Sequence, residues 1–280
     1  MWDPTTYLRY GDERSRPFGE LLARIPPTTK GDVVDLGCGP GTLTIGLADR
    51  FPGVAVRGLD SSAEMISAAR ALDSAALDSN VAFDVGDVRD WHPAPTDGVV
   101  LANAVLQWVP GHDDLLRRWA GELHRGAVLA FQVPGNFDAP SHRLIRAVAA
   151  EGPWPLEGVL RGTESVLEPV EYARLLVDAG CTVDAWETTY VHLLPASAEE
   201  ERDPRNEDRG RIGLAGSGDG HPVLAWVEGT ALRPVKAALS EEAWTGFKQV
   251  LSGRLAEAYP VHNGKVYFPF RRLFVVATVD

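Results

Sequence analysis

Residues 33–44, VVDLGCGPGTLT, restrict the fold more than any other stretch of the chain. A short apolar run meets a turn with glycines at 37, 39 and 41, and Leu43, Leu47 and Phe51 then recur at the spacing of a helix face. Such a strand–turn–helix unit needs a second strand beside the first, and 54–60 (VAVRGLD) supplies one. That strand ends at Asp60, and SSAEMISAAR follows, where Ser61 and Glu64 fit a capping box. Further strands are predicted at 81–87, 97–103 and 127–133, with a helix marked by Leu115, Trp119 and Leu123 before the last. Strands alternating with helices at these lengths predict an α/β fold with a parallel sheet covered on both faces.

The second half has another rhythm. Tyr172, Leu175, Leu176 and Ala179 share a helical face closed by Gly180. Strands are predicted at 183–194 and 265–279. Between them lie two helical patterns, one with Val223, Trp226, Val227 and Ala231, the other with Trp244, Phe247 and Leu251 after Ser240. A helical insert therefore sits within a terminal strand pair. Residues 196–221 are charged, then glycine-rich, with too little apolar surface to offset ordering entropy, and are predicted to be a mobile surface loop.

Composition narrows the partners. The chain of 280 residues carries a formal net charge of -12, which disfavours nucleic acid and anionic membrane surfaces as partners. Its 45% apolar content suits an ordinary globule with a sizeable core. Its two cysteines, Cys38 and Cys181, form neither a disulfide framework nor a metal motif, so no metal is expected. A reducing cytoplasm is the simplest compartment, and no signal peptide or membrane span is read.

The glycine turn indicates the ligand. A dinucleotide fingerprint places its third glycine one residue later than Gly41. Asp35 at the mouth of the turn repels a pyrophosphate but suits an ammonium group, as in S-adenosyl-L-methionine. Asp60 suits a ribose, although NAD would use it alike. Asp87, in GDVRDW, is placed to accept from an adenine amino group while Val88 packs on the ring; a plain turn role for Asp87 is the alternative.

VVDLGCGPGTLT, GLDSSAEMI, GDVRDW and ANAVLQWVP, in that order, resemble class I S-adenosylmethionine-dependent methyltransferases. The opening MWDPTTYLRYGDERSRPFGELLARIP, the stretches LANAVLQWVPGHDDLL, FQVPGNFDAPSH and AGCTVDAWETTYVHLLP, and the closing FPFRRLFVVAT are similar to the trans-aconitate 2-methyltransferase family. The similarity departs at about 197–220, where the family has a shorter connection. The resemblance implies a Rossmann-like, mostly parallel seven-stranded sheet with an antiparallel last strand and a helical lobe inserted before it. It implies one domain over 1–280: an N-terminal helical cap (1–29), a cofactor core (30–133), and substrate-side helices and terminal strands (134–280). The cofactor set it implies is Asp35, Gly37, Gly39 and Gly41 at the methionine end, Asp60 with Ser61 at the ribose, Asp87 and Val88 at the adenine, and Asn103.

The implied reaction esterifies a small tricarboxylate. A carboxylate with a pKa of roughly 4 is already ionised at neutral pH, so no general base is assigned and the catalytic task is positioning. Carboxylates that do not react need cationic clamps, for which arginine has the planar fork. Arg9, Arg14 and Arg16 are candidates near the start. Alternation along the last strand puts Arg271 and Arg272 on opposite faces, and the resemblance favours Arg272. Tyr7, Tyr190 and His142 are candidate donors, with Gln107 and Trp108 at the carboxyl edge of the sheet. A monomer is expected. A hydroxyl acceptor would instead want a base such as His112 or His142. A nicotinamide oxidoreductase and a non-catalytic binding protein are the readings from other classes.

Overall fold

The computed structural model of the chain describes residues 11–27, 29–73, 80–160, 162, 166–196 and 220–280, with side chains from Ser15 onward. Tyr7, Arg9, the side chain of Arg14 and nearly all of the expected 196–221 loop lie outside the described residues.

Five strands run parallel: β1 (Asp32–Leu36), β2 (Val56–Asp60), β3 (Val81–Val85), β4 (Asp97–Asn103) and β5 (Val128–Pro134). Two long strands complete the sheet, β6 (Cys181–Pro195) and β8 (Lys265–Val279), with the two-residue β7 (Val261–His262) paired to the start of β8. The order is β3-β2-β1-β4-β5-β8-β6. β8 is antiparallel, as expected of the last strand, and it lies between β5 and β6. The short β7 is an addition to the seven expected strands. It arises because the turn at Asn263 and Gly264, both at positive φ, folds Val261 back on Val266.

Continuous apolar strands imply cover on both faces, and both are covered. On one face Val34, Val100, Leu129 and Val275 pack against α5 (His112–Glu122) and α7 (Pro169–Asp178) through Leu116, Trp119, Tyr172 and Leu176. On the other face Val33, Val99, Val128 and Val276 pack against α1 (Gly11–Ala23) and α4 (Ala63–Asp73) through Phe18, Leu21, Ile66 and Ala69. The neighbouring residues of each strand thus serve opposite layers.

The lobe has its own core. Ile145 and Val148 of α6 (Pro140–Glu151), Val223 and Trp226 of α8 (Pro222–Glu228), Val235 of α9 (Arg233–Ala238), and Trp244, Phe247 and Leu251 of α10 (Glu241–Ala258) enclose Leu194, Val266, Phe268 and Phe270. Ser240 caps α10, accepting from the Ala243 amide.

Two local expectations change. The apolar repeat at 43, 47 and 51 is not one helix but two short turns, α2 (Thr42–Ile45) and α3 (Leu47–Arg50), broken at Gly46. The cap of α4 is Ser62 rather than Ser61. Asp60 Oδ1 accepts from the Ser62 amide at 2.8 Å, and Ser62 Oγ accepts from the Met65 amide at 3.3 Å, which shifts the helix start by one residue.

Candidate active site

A cleft of about 1150 Å³ opens at the carboxyl ends of β1, β2, β4 and β5, and its far wall is the helical lobe. Open α/β sheets place ligands at this edge, because the loops that leave the strands diverge there.

The turn after β1 forms one end. Gly37 sits at φ 73°, and a Cβ there would lie 2.0 Å from Val105 Cγ2, so the loop closes on β4 only with glycine. Gly41 is different from what the motif suggests. It does not border the cleft, and a Cβ on it would lie 2.7 Å from Phe83, so its glycine serves packing beneath the loop. Asp35 is 3% exposed and accepts from Thr44 Oγ1 at 2.6 Å. Burial pushes its carboxyl up to about 7, and the neighbouring Asp60 charge adds to this against the Thr44 bond. The Cys38 thiol is held neutral by burial and by the same two acids, which agrees with a packing role.

Asp60 ties the first two strand ends together, since Oδ2 accepts from the Gly39 amide at 3.0 Å. Ser61, Val88 and Asn103 border the cleft with it. Asp87 borders it too, but its carboxylate is engaged by Arg89, which donates Nη2 to Oδ2 at 2.5 Å and its backbone amide to Oδ1 at 2.9 Å. These bonds hold the Asp87 carboxyl below the usual range.

The opposite end of the cleft is cationic. Arg272 is 8% exposed, lies 4.7 Å from the Phe270 ring centroid, and donates Nη1 to Gln132 Oε1 at 3.4 Å. Arg271 points to the other face, where it pairs with Glu168 at 2.5 Å and with Glu187. Asn136 pins the strand at this point, accepting from the Arg271 amide and donating to its carbonyl, both at 2.8 Å. Gln107, Trp108 and His142 border the cleft.

Two expected donors do not border it. Tyr190 gives its hydroxyl proton to Glu20, which also accepts from Trp186 Nε1 at 2.9 Å and Thr188 Oγ1 at 2.6 Å. These three residues alternate along β6 and so face α1 together; their task is to fasten that helix to the sheet. Arg16 lies 5.4 Å from the Tyr190 ring centroid and is absent from the cleft wall for the same reason. His112 is also removed from the cleft. Its Nδ1 faces the Val109 carbonyl at 3.2 Å and must donate, so Nε2 accepts from Tyr172 Oη at 2.7 Å, and both nitrogens of His112 are engaged away from the cleft.

Four cleft cations escaped the sequence reading: Arg89, which is paired with Asp87, and Arg146, Arg233 and Lys236 on the lobe side. Arg146 follows His142 by one helical turn, and Arg233 and Lys236 are three apart on α9, so helical spacing from a single known wall residue would have found Arg146. Burial lowers the pKa of Arg233. Among the described residues no group of three or more His, Cys, Asp or Glu could hold a metal ion, and no helix is long and apolar enough to cross a membrane.

The comparisons with known proteins agree with this geometry. Residues 33–126 match a family model described as a methyltransferase domain. A protein of Mycobacterium sp. (strain KMS) named trans-aconitate 2-methyltransferase is 49% identical, covering 99% of this chain and 99% of its own length. One of the same name from Rhodococcus jostii (strain RHA1) is 48% identical over 100% of both chains. Among solved structures, phosphoethanolamine N-methyltransferase 2 of Haemonchus contortus, in complex with S-adenosyl-L-methionine, superposes with a TM-score of 0.52 at 14% identity. That match covers 96% of this chain and 53% of the other, and it shows a shared fold. With near-half identity sustained from end to end, the chain belongs to the trans-aconitate 2-methyltransferase family.

Proposed function

We propose that the protein transfers a methyl group from S-adenosyl-L-methionine to a carboxylate of trans-aconitate, forming its monomethyl ester. The observation that carries this is the placement of Arg272, a buried cation at the end of the cleft opposite the acidic Asp35–Asp60 end. A cleft with an anionic end and a cationic end suits a cationic donor and an anionic acceptor together.

The residues at the anionic end fit the donor. Asp35 carries a carboxyl whose ionised form is costly in the absence of a cation, and an ammonium group is the cation that would relieve it. Gly37 and Gly39 keep the turn clear of side chains; Asp60 and Ser61, which border the cleft, take the ribose hydroxyls in this reading, and Asp87 and Val88 the adenine. Bound there, the cofactor would supply a methyl carbon to a carboxylate oxygen, the oxygen–carbon bond forming as the carbon–sulfur bond breaks, so that the sulfur leaves as S-adenosylhomocysteine and the acid becomes its methyl ester.

At the other end Arg272 takes a carboxylate that does not react, with Arg146, Arg233 and Lys236 as further clamps. Gln107, Trp108 and His142 complete the wall. Because the acceptor arrives ionised, no residue needs to remove a proton. What the protein contributes is alignment and exclusion of water, which in favourable cases lower a barrier by about 7–11 kcal/mol. In this reading residues 30–133 form the cofactor half and 134–280 the acceptor half of one domain.

The test is transfer of labelled methyl to a panel of trans-aconitate, cis-aconitate, citrate, isocitrate and fatty acids. Base-labile label on trans-aconitate in preference to the others is expected. Cofactor binding without transfer to any acid would overturn the acceptor assignment.

A further inference from the structure

Three side chains from neighbouring strands form a line across the carboxyl edge of the sheet. Asn103 ends β4, Gln132 lies beside it in register on β5, and Arg272 lies on β8 opposite Pro134. All three border the cleft. Gln132 is 1% exposed; its Nε2 donates to Asn103 Oδ1 at 2.6 Å, and its Oε1 accepts from Arg272.

The direction of these bonds is forced. A guanidinium has donors and no acceptor, so the amide atom that faces it must be oxygen. Gln132 then has only its amino group for Asn103, and Asn103 must meet it with oxygen. The amino group of Asn103 is left over, and among the described residues nothing accepts from it. The backbone here is also fixed. Ala104 is held at φ 56°, a left-handed conformation unusual for alanine, by donating its amide to the Gln132 carbonyl at 2.9 Å and accepting from Gln107 Nε2 at 2.6 Å.

The geometry points to a polarity relay in which Arg272 orients Gln132 and Gln132 orients Asn103, so that Asn103 presents an N–H donor to the carboxylate of the acceptor. This rests on the acid-acceptor reading above. Gln132 is a positioning residue, and Asn103, which the resemblance set among the cofactor residues, becomes the group that touches the acceptor. The methionine carboxylate of the cofactor has the same chemistry, but the relay starts from the cationic end, which assigns its donor to the acceptor.

Three variants test it, with acid binding measured by calorimetry in the S-adenosylhomocysteine complex and turnover measured alongside. Asn103→Asp keeps the bond from Gln132 and turns an oxygen toward the cleft; Gln132→Glu compels Asn103 to reverse. Both are expected to weaken binding of trans-aconitate at least about tenfold while S-adenosylhomocysteine affinity stays within about threefold. Gln132→Met leaves the Arg272 charge in place and frees the Asn103 amide, so kcat is expected to fall about tenfold with less change in KM. Unchanged acid binding by Asn103→Asp, wild-type turnover by Gln132→Met, or a loss confined to S-adenosylhomocysteine affinity would each overturn the relay. Wild-type protein that binds no tricarboxylate overturns both the relay and the acceptor reading. Wild-type protein that binds the acid without transferring methyl, with binding lost in Asn103→Asp, overturns the reaction and supports the relay.

Discussion

The two ends of the cleft are built by different means. The acidic end comes from consecutive strand ends: Asp35 on β1, Asp60 on β2, Asp87 just after β3, all within a short span of chain. The cationic end draws Arg146 from α6, Arg233 and Lys236 from α9, and Arg272 from β8, with more than a hundred residues between the first and the last. A site assembled from strand ends inherits its geometry from the sheet. A site assembled from helices and a returning strand depends on how the lobe packs.

The sharpest break of that comparison is Asp60→Ala. Its carboxylate holds the Gly39 and Ser62 amides as well as facing the cleft, so a loss of about 2–4 kcal/mol in S-adenosylhomocysteine binding is expected by calorimetry. Acid binding should suffer only through the missing cofactor. Arg272→Met is the counterpart at the other end. KM for trans-aconitate should rise by about thirtyfold or more, with cofactor affinity unchanged; parallel losses of both would mean the two ends are one unit.

Asp35→Asn separates ligand binding from stability. Burial pushes the Asp35 carboxyl up from its ordinary 3.8 to about 7 in the folded protein. The stability linked to its proton is therefore fully present below about pH 4 and lost as pH rises through 7. The ligand-free variant should match the wild type near pH 4 and melt at least about 2 °C higher at pH 8, while binding S-adenosylhomocysteine roughly tenfold more weakly. In the wild type, cofactor binding should tighten between pH 6 and 8 as the carboxylate forms. The smallest effect is expected from Tyr190→Phe. It removes one donor to Glu20 and should cost about 1 kcal/mol of stability in denaturant titration, with KM for the acid unchanged. A large rise in KM would return Tyr190 to the acceptor site.

The contrast between the ends also explains what the sequence disclosed. Strand ends are marked by local chemistry, so the sheet with its last antiparallel strand was legible, and so was the position of Asp35 and Asp60 at the cleft, though not what they bind there. The opposed faces of Arg271 and Arg272 followed from strand alternation alone. Tyr190 was misread because a tyrosine on a strand looks the same whether it faces a cleft or a helix; only the docking of α1 decides. Gly41 was misread because a motif glycine does not declare whether it makes room for a ligand or for Phe83. Arg146, Arg233 and Lys236 were missed because cations on amphipathic helices are ordinarily solvated, and nothing local marks these as facing inward.

The long strand β8 has a mechanical consequence. Its first six residues alternate between the lobe core and solvent, and its later ones are buried on both faces within the main sheet. With β6 it forms an uninterrupted ladder of fifteen residue pairs from Lys265 to Val279. The lobe is therefore mounted on a stiff beam, not joined by a hinge, and Arg272 is set midway along it. Access to the cleft is then left to the short elements at its border, such as α9, while the beam keeps the distance between the two charged ends constant from one turnover to the next.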